Sequence, residues 1–509
     1  MMNDLIIVEK FDSTYFQIIC NFEQAMEMHS FFQCYAKDFI YHPKFKAKLW
    51  NGKISFFDIH GGNLLPIGLL YKLKEFLTTF RYKVLFNFDT SELYNDLSEE
   101  DMTEFYEVIF KNSDYYPRDY QHRCIYAALK RKRGVIESAT GSGKSLVIYS
   151  IIRFIMGVTD KKILLVVPNV SLTTQMFNDF VDYGWEGAHH EASVLYGGSK
   201  RYNPENKILI STWQSIYKKK KTFFEQFEAV IVDETHTAKA KSLQDILKKC
   251  ANAHYRIGLT GTLPTEEADI YTIYGYLGPT MVSVKSKELI DSGYLSKIMI
   301  ANLLIQYSPE EIKKNKIRTY PEEYRAIIEN PNRNKIFKYI IKNINTNDNV
   351  LILCERIDHL KSIFQYVTDL GKDLKRKVFL IHGSIDAEKR ETIRKFTEDN
   401  DGVVIVATYG TMSTGVNIKK LHHIIAASSY KSRIKVLQSI GRGLRLHKSK
   451  SKMIWWDIVD DMRWKKQKRK NQINEIGYNY MFSQFLARIR YYKEQDFKYI
   501  NKRVDLSKI

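Results

Sequence analysis

Two tandem parallel-sheet α/β domains, preceded by a small α/β domain and followed by a basic helical extension, are the fold class that this sequence predicts. Three observations carry that expectation. A glycine-rich loop stands between an apolar strand and an apolar helix; a first series of β-branched strands, each ending in polar residues, surrounds it; a second such series comes later, with no glycine-rich loop of its own. The chain of 509 residues is long enough for three or four domains. The expected divisions are 1–105 for the small domain, 106–300 and 301–460 for the two sheet domains, and 461–509 for the extension.

The loop is Ser138 to Ser145, reading SATGSGKS, with Gly134–Glu137 as the strand before it and Leu146–Ile155 as the helix after it. Strand, loop and helix in that order make a phosphate cradle. Thr140, Gly141, Ser142 and Gly143 bring backbone N–H groups onto a phosphate, Lys144 adds charge, and the Ser145 hydroxyl is a ligand for Mg²⁺. Serine stands at 138, where the strict pattern has glycine, so the loop fits a looser version of the motif. Upstream, Gln121 carries an amide that donates and accepts together, which suits the adenine edge of ATP.

In the first series, Ile163–Val167 runs into Pro168-Asn169, Ile208–Ile210 into Ser211-Thr212, Ala229–Val232 into Asp233-Glu234-Thr235-His236, and Ile257–Leu259 into Thr260-Gly261-Thr262. Near-continuous apolar strands alternating with helices form a parallel sheet covered on both faces, and its ligands gather at the strand C-termini. Asp233 is placed to hold the Mg²⁺ that Ser145 also contacts, and Glu234 to activate a water. The second series runs from Val350–Cys354 to Met453–Val459. It carries Gln438-Ser439-Ile440-Gly441-Arg442-Gly443-Leu444-Arg445, whose two guanidiniums, three apart on an expected helix, would share one face and suit the charge of a γ-phosphoryl group.

Charge points to a polyanionic partner. Lys and Arg number 78 against 58 Asp and Glu, a net +20. In the first 105 residues, helical periodicity over Phe22–Ala36 and Gly68–Phe80 and short strands at Leu5–Val8, Lys53–Phe57 and Lys83–Phe88 predict the small domain. Within it, Tyr41 to Lys53 interleaves Lys44, Lys46 and Lys48 with aromatic residues including Trp50. Two readings stand: cations on phosphates with rings stacked on bases or wedged into a junction, or a solvated loop whose rings belong to the core. At the other end a cationic run, Lys465 to Lys470, precedes an apolar helical stripe from Tyr480 to Tyr492 that is expected to dock on the second sheet domain. Five cysteines with no CxxC pair fit reduced thiols in a cytoplasmic protein. No secretory leader and no bilayer-length apolar run is apparent, which argues against a membrane partner.

Taken in order, Gln121, SATGSGKS, PNVSLTTQ, STWQS, DETH, GLTGT, HGSIDAEKR, ATYGTMSTGVN and QSIGRGLR resemble the motifs of superfamily-two helicases of the DExH branch over residues 116–450. The resemblance implies two RecA-like domains with ATP between them. By it, Gln438 would lie beside the γ-phosphate, with Arg442 and Arg445 as arginine fingers. Thr260, Thr262 and Gly415 would couple ATP state to a nucleic-acid track of Asn169, Gly197, Thr212, His382, Gly383 and Thr408. Asn417 departs from the pattern, where an aspartate is common.

A closer resemblance, to the UvsW-type recombination helicases of tailed phages, covers nearly the whole chain. It rests on Pro43-Lys44-Phe45 through Trp50-Asn51-Gly52-Lys53, on Leu65–Leu69, Asp179–Tyr183, Arg333-Asn334 and Gln438–Arg445. It implies remodelling of branched DNA: branch migration, fork regression and removal of RNA from R-loops, with branched or single-stranded DNA as partner, RNA in a hybrid, and the host-cell cytoplasm as location. A monomer is expected. The rivals are an RNA helicase with the same motor, the motor subunit of a restriction system, and an ATP-gated strand-annealing or clamp protein with little turnover.

Overall fold

The structure, a computed structural model, describes residues 5–198, 202–413, 418–466 and 475–508. Gly415, Asn417 and most of the cationic run after Lys466 lie outside the described residues. In the small domain, β1 (Leu5–Lys10) and β2 (Tyr15–Ile19) alternate buried Ile6, Val8, Phe16 and Ile18 with more exposed neighbours. That period of two buries one face of a sheet. With β5 (Leu64–Pro66) and β6 (Lys83–Phe86) they form a four-stranded sheet in the order β5-β2-β1-β6, in which β1 and β6 are parallel and the other pairs antiparallel. Helices Phe22–Phe31 and Leu70–Phe80 complete the core through Ala25, Met28, Leu73 and Phe76.

The first helix stops earlier than the periodicity over 22–36 predicts. After Phe31 the buried residues are Phe32 and Cys34, alternating with the more exposed Gln33 and Tyr35, so the period changes from helical to two. Strand β3 (Gln33–Tyr35) then pairs antiparallel with β4 (Lys53–Ser55). The Tyr41–Lys53 segment is therefore mostly the connection of a hairpin.

The first large sheet has seven parallel strands in the order β13-β7-β12-β11-β8-β10-β9. They are β7 (Arg133–Ser138), β8 (Lys162–Val167), β9 (Ala192–Leu195), β10 (Ile208–Thr212), β11 (Phe227–Asp233), β12 (Tyr255–Thr260) and β13 (Thr280–Val284). The small domain is docked on this lobe at two places. Gly68 lies against helix Glu267–Leu277, where a Cβ would overlap the Tyr274 carbonyl oxygen and come within 2.8 Å of the backbone of Gly275 and Gly278. Nearby, Arg256 is fully buried. It donates to the carbonyls of Tyr276 (2.9 Å), Cys250 (2.8 Å) and Leu247 and to Thr14 Oγ1 of the small domain (3.2 Å), while Ser13 N donates to Ala251 O at 2.8 Å. Leu247 and Cys250 end helix Lys241–Lys249, so the guanidinium also meets the negative end of a helix dipole.

The second sheet also has seven parallel strands, in the order β16-β17-β15-β18-β19-β14-β22. They are β14 (Lys297–Gln306), β15 (Val350–Cys354), β16 (Val378–Ile381), β17 (Val404–Thr408), β18 (His423–Ala426), β19 (Lys452–Asp461) and β22 (Tyr499–Asp505); β20 (Trp464–Lys466) and β21 (Glu475–Gly477) form a separate antiparallel pair. Apart from Thr140–Ser142, which group with the second compact unit, the first unit ends at Val284 and the second begins at Lys285; within the second, β14 pairs along its whole length with β19. The C-terminal helix, Tyr480–Glu494, docks Phe482 and Phe485 on Leu304 and Val459 as its stripe predicts. Beyond it the extension is more than helical, since β22 joins the sheet as an edge strand beside β14. With Lys502 and Arg503 exposed and Val504 buried, β22 carries little of the apolar alternation that marks a strand in sequence.

Replacing Gly68 by Ala is expected to cost about 1–3 kcal/mol through overpacking against a main chain. Gly157→Ala, in a helix with open space around the new methyl, should be neutral or stabilising by up to ~1 kcal/mol. Thermal or urea unfolding of the two variants checks the opposite signs.

Candidate nucleotide site and nucleic-acid interface

The phosphate loop leaves β7 at Ser138 and enters helix Lys144–Val158. Gly141 and Gly143 hold φ of +88° and +76°, which L side chains rarely adopt. Gly143 is further constrained from outside: a Cβ there would lie 2.5 Å from Gln121 Nε2. Gln121 is buried and braces the loop. Its Oε1 accepts from Arg118 N at 2.9 Å, closing the N-terminus of helix Asp119–Arg131, and its Nε2 donates to the Gly143 carbonyl at 3.4 Å. Lys144 Nζ donates to the Ser138 carbonyl at 3.2 Å, and Ser145 Oγ lies 2.7 Å from the Tyr183 hydroxyl. Motif reading passes over Tyr183, although Asp179–Tyr183 carries part of the resemblance. Its ring is buried beside Tyr115 and Tyr149.

Two strands away, β11 ends in Asp233 and β12, between β7 and β11, ends in Thr260. Asp233 is buried and accepts from the N–H of Glu234 at 3.0 Å. Burial pushes its carboxyl up to about 7; the charge of Glu234 adds to the shift and the Lys144 ammonium opposes it. Glu234 itself stands at φ +54°, a left-handed conformation that costs a non-glycine residue of order 1 kcal/mol or more and turns the chain out of the strand. Thr235 fastens that turn to the sheet, donating to the carbonyls of Val232 and Leu259 at 3.1 and 3.0 Å; Gly258 leaves room for it, since a Cβ there would sit 2.6 Å from Thr235 Oγ1.

A polar chain then leads away from the acidic pair. Glu234 Oε2 is 3.2 Å from His236 Nδ1, His236 Nδ1 is 3.2 Å from Thr260 Oγ1, and Thr260 Oγ1 is 3.1 Å from the Thr262 carbonyl oxygen and 3.3 Å from its N–H. Both threonines are buried; Thr260 enters this chain through its hydroxyl and Thr262 through its main-chain carbonyl and N–H.

Residues read as a nucleic-acid track sit where the strands end, with differing freedom. Asn169 comes after β8 and caps helix Val170–Asp182, its Oδ1 accepting from Leu172 N at 3.1 Å. Thr212 ends β10 with its hydroxyl turned inward, 2.8 Å from Ser215 Oγ. Gly197 is exposed in open surroundings. In the second unit, His382 comes after β16 and meets Ser384 Oγ at 2.7 Å, Gly383 is exposed, and Thr408 ends β17 with Thr411 Oγ1 at 2.7 Å.

The arginine helix is Arg433–Gly443 and carries Gln438 and Arg442. Arg445 lies past its end, which corrects the expectation of two guanidiniums on one helical face. The helix stops where Gly443 abuts the sheet, with Ile424 Cδ1 2.8 Å and Met453 Cγ 2.9 Å from a Cβ placed there, and where Lys450 Nζ donates to the Gly443 carbonyl at 2.8 Å. Burial pulls the Lys450 pKa down to about 8.

In the small domain, Lys44, Lys46 and Lys48 are exposed around the four-residue helix Pro43–Lys46. Trp50 is half-buried, its Nε1 donating to the Lys53 carbonyl at 2.8 Å, and Phe39 and Phe45 pack against each other. The apolar residues that do face outward are Leu49, 78% exposed, Tyr41 and Ile40. The three cations thus face outward, while Phe39, Phe45 and Trp50 are partly buried.

Parallel-sheet units with a strand–loop–helix phosphate cradle, an Asp-Glu pair whose aspartate is buried and an arginine helix define a superfamily-two helicase. Three family profiles agree: "DNA helicase UvsW, N-terminal" over residues 6–87, "Type III restriction enzyme, res subunit" over 114–265 and "Helicase conserved C-terminal domain" over 332–447. The chain is 32% identical to the ATP-dependent DNA helicase UvsW of Enterobacteria phage T4, covering 97% of this chain and 98% of that protein. The crystal structure of T4 UvsW matches with a TM-score of 0.52 at 31% identity over 98% of this chain and 99% of that one. The chain belongs to the UvsW family of helicases. A more distant relative is the DNA 3'-5' translocase XPB2 of Sulfurisphaera tokodaii, 25% identical over 64% of this chain and 78% of that protein.

The raised pKa of Asp233 fixes a sign. A carboxyl that keeps its proton up to about pH 7 when folded, and to about 3.8 otherwise, costs the folded state nothing below pH 3.8 and its full amount above 7. Asp233→Asn is therefore expected to raise the melting temperature at pH 8, by about 2–4 °C for each kcal/mol relieved, and by less at pH 5. Scanning calorimetry without nucleotide, at both pH values, checks it.

Proposed function

We propose that the protein is an ATP-dependent DNA helicase that remodels branched DNA, acting as a monomer in the cytoplasm of its host cell. The observation that carries the reading is the unbroken polar chain from the acidic pair to Thr262, which gives a nucleotide-dependent change at Glu234 a route away from the phosphates. Family membership supplies the class of activity, and the exposed lysines of the small domain supply a surface for DNA phosphates.

In this reading the loop N–H groups of residues 140–143 and Lys144 hold the ATP phosphates, and Glu234 takes the proton of the attacking water. Gln438, Arg442 and Arg445 supply donors and charge to the γ-phosphoryl group as it leaves. Ser145 and Asp233 offer one hydroxyl and one carboxylate to Mg²⁺, hard oxygen donors of the kind it takes together with nucleotide phosphates. When bound, Mg²⁺ neutralises phosphate charge. Ionised Asp233 is what it requires, so binding would shift the proton that the carboxyl otherwise keeps near neutral pH.

Thr260, Thr262 and Gly415 serve the coupling, and Asn169, Gly197, Thr212, His382, Gly383 and Thr408 serve the track. At Asn169 the free donors are main-chain N–H groups at the start of a helix of thirteen residues. The Thr212 hydroxyl is inward, so that residue shapes the turn. In the small domain, Lys44, Lys46 and Lys48 would grip phosphates while Leu49 and Tyr41, in place of Trp50, press on unstacked bases at a junction.

Lys144→Ala and Glu234→Gln are each expected to lower DNA-stimulated ATP hydrolysis by about 100-fold or more, read as phosphate release; turnover near the wild-type rate in either would refute the site. Unwinding assays across single-strand, duplex, fork, four-way-junction, R-loop and RNA-duplex substrates should favour the forked and four-way DNA. Changing Lys44, Lys46 and Lys48 together to Gln should flatten the slope of log affinity against log salt by about 2–3, as lost phosphate contacts require, while leaving the fold intact by circular dichroism.

A further inference from the structure

The C-terminal helix touches the segment that launches the arginine helix at four points. On the buried side, Arg488 is 2% exposed and is held by Asp457 of β19 through two bonds of 2.8 Å, with the Tyr492 hydroxyl adding 2.8 Å to the same carboxylate. Its remaining nitrogen, Nη1, donates to Ser429 Oγ at 2.7 Å and to the Tyr430 carbonyl at 3.2 Å. On the outer side, the Tyr491 hydroxyl donates to the Lys431 carbonyl at 2.9 Å, and Glu494 pairs with Arg433 Nε at 2.9 Å. Residues 429, 430, 431 and 433 are thus held one after another by successive turns of a single helix, and Arg433 is the first residue of the arginine helix.

The same segment is fixed from within its own lobe. Ser428 Oγ lies 3.0 Å from His359 Nδ1, accepts from Glu355 N at 3.1 Å and meets the Tyr324 hydroxyl at 3.3 Å; Tyr409, next after Thr408, donates to the Ser428 carbonyl at 3.3 Å and packs against Tyr430. At the far end Gly443 and Lys450 pin the arginine helix to the sheet. A helix held at both ends has a fixed axis and rotation, and those set where Gln438 and Arg442 point.

The extension is itself anchored with unusual care. Glu323, 1% exposed, accepts from the N–H groups of Tyr480 (3.1 Å) and Met481 (2.8 Å) and from the Asn479 and Asn315 amides at 2.9 and 3.0 Å, a carboxylate seated on the first turn of the C-terminal helix. Arg333 in turn binds Asp460 at 2.7 and 3.0 Å and the Ala427 carbonyl at 2.9 Å. A basic tail kept only to attract DNA would need none of this.

We propose that the C-terminal helix is a strut that sets the orientation of the arginine helix, with Arg488, Tyr491 and Glu494 as positioning residues for ATP hydrolysis. This rests on the reading of Arg442 as a group that acts on the γ-phosphoryl. Arg488 and Asp457 are a poor place to test it, because removing one partner leaves the other charge buried and costs about 3–5 kcal/mol. The exposed pair is the better one. Arg433→Glu and Glu494→Arg, made singly in the 509-residue chain, are expected to lower kcat of DNA-stimulated ATP hydrolysis roughly ten-fold, the order that a displacement of catalytic groups by a fraction of an ångström produces. Melting temperature, DNA affinity and affinity for a fluorescent ADP analogue should stay within error. The double reversal Arg433→Glu/Glu494→Arg, which restores the pair with opposite polarity, should recover most of the lost kcat. Single reversals that hydrolyse ATP at the wild-type rate, or a loss that the double reversal leaves unrepaired, would overturn the strut while Arg442→Ala is inactive. An Arg442→Ala protein with unimpaired hydrolysis would overturn the strut and the reading beneath it together.

Discussion

Parallel pairing is the constraint on which the rest of this molecule depends. Every strand of a parallel sheet delivers its C-terminus to the same edge, so Ser138, Asp233 and Thr260 arrive side by side although about 120 residues separate the first from the last. The central strands β8, β10, β11 and β12 are almost wholly buried, and the polar residues begin where their pairing ends. Chemistry is confined to that edge because a carboxylate anywhere deeper would have to be neutralised. Asp233, one residue inside the edge, already retains its proton to near neutrality.

Close approach of main chains is the second device, and glycine is its instrument. Gly143 admits the Gln121 amide beside the phosphate loop, Gly258 admits Thr235 beneath the acidic pair, Gly443 lets the arginine helix settle on its sheet, and Gly68 lets the small domain lie directly on a motor helix. At each of these a single methyl group would stand closer to its neighbour than van der Waals contact allows. The small domain is therefore part of the first compact unit and is not tethered to it by a linker alone. A surface of lysines mounted on it is held at a fixed place relative to the sheet that carries Lys144.

In the second unit the organising elements are buried ion pairs. Arg488 with Asp457 and Arg333 with Asp460 use two acids of β19, and each guanidinium also donates to the segment after β18. Buried pairs of this kind add little net stability compared with an apolar core, but they have strict geometry, and a bidentate guanidinium fixes both distance and plane. That suits a place where orientation matters more than cohesion.

Much of this was legible in the residues alone. SATGSGKS, DETH and GLTGT announce their positions because strand, loop and helix signals are local, and apolar runs closed by polar residues fix where a parallel sheet ends. Composition likewise announces a polyanionic partner. Other features were settled only by the folded chain. Gln33, Cys34 and Tyr35 belong to a strand because β4 is there to pair with them, and β22 forms at a sheet edge with hardly any apolar alternation of its own. Arg445 falls off its helix because Lys450 and Gly443 end that helix early. Leu49 is exposed and Trp50 is not, a difference that two neighbouring apolar letters cannot express. Sequence by itself determines the features that neighbours along the chain impose on one another; partners that lie tens or hundreds of residues apart, such as Gly68 with Tyr274 or Arg488 with Ser429, exist only once tertiary packing has brought them together.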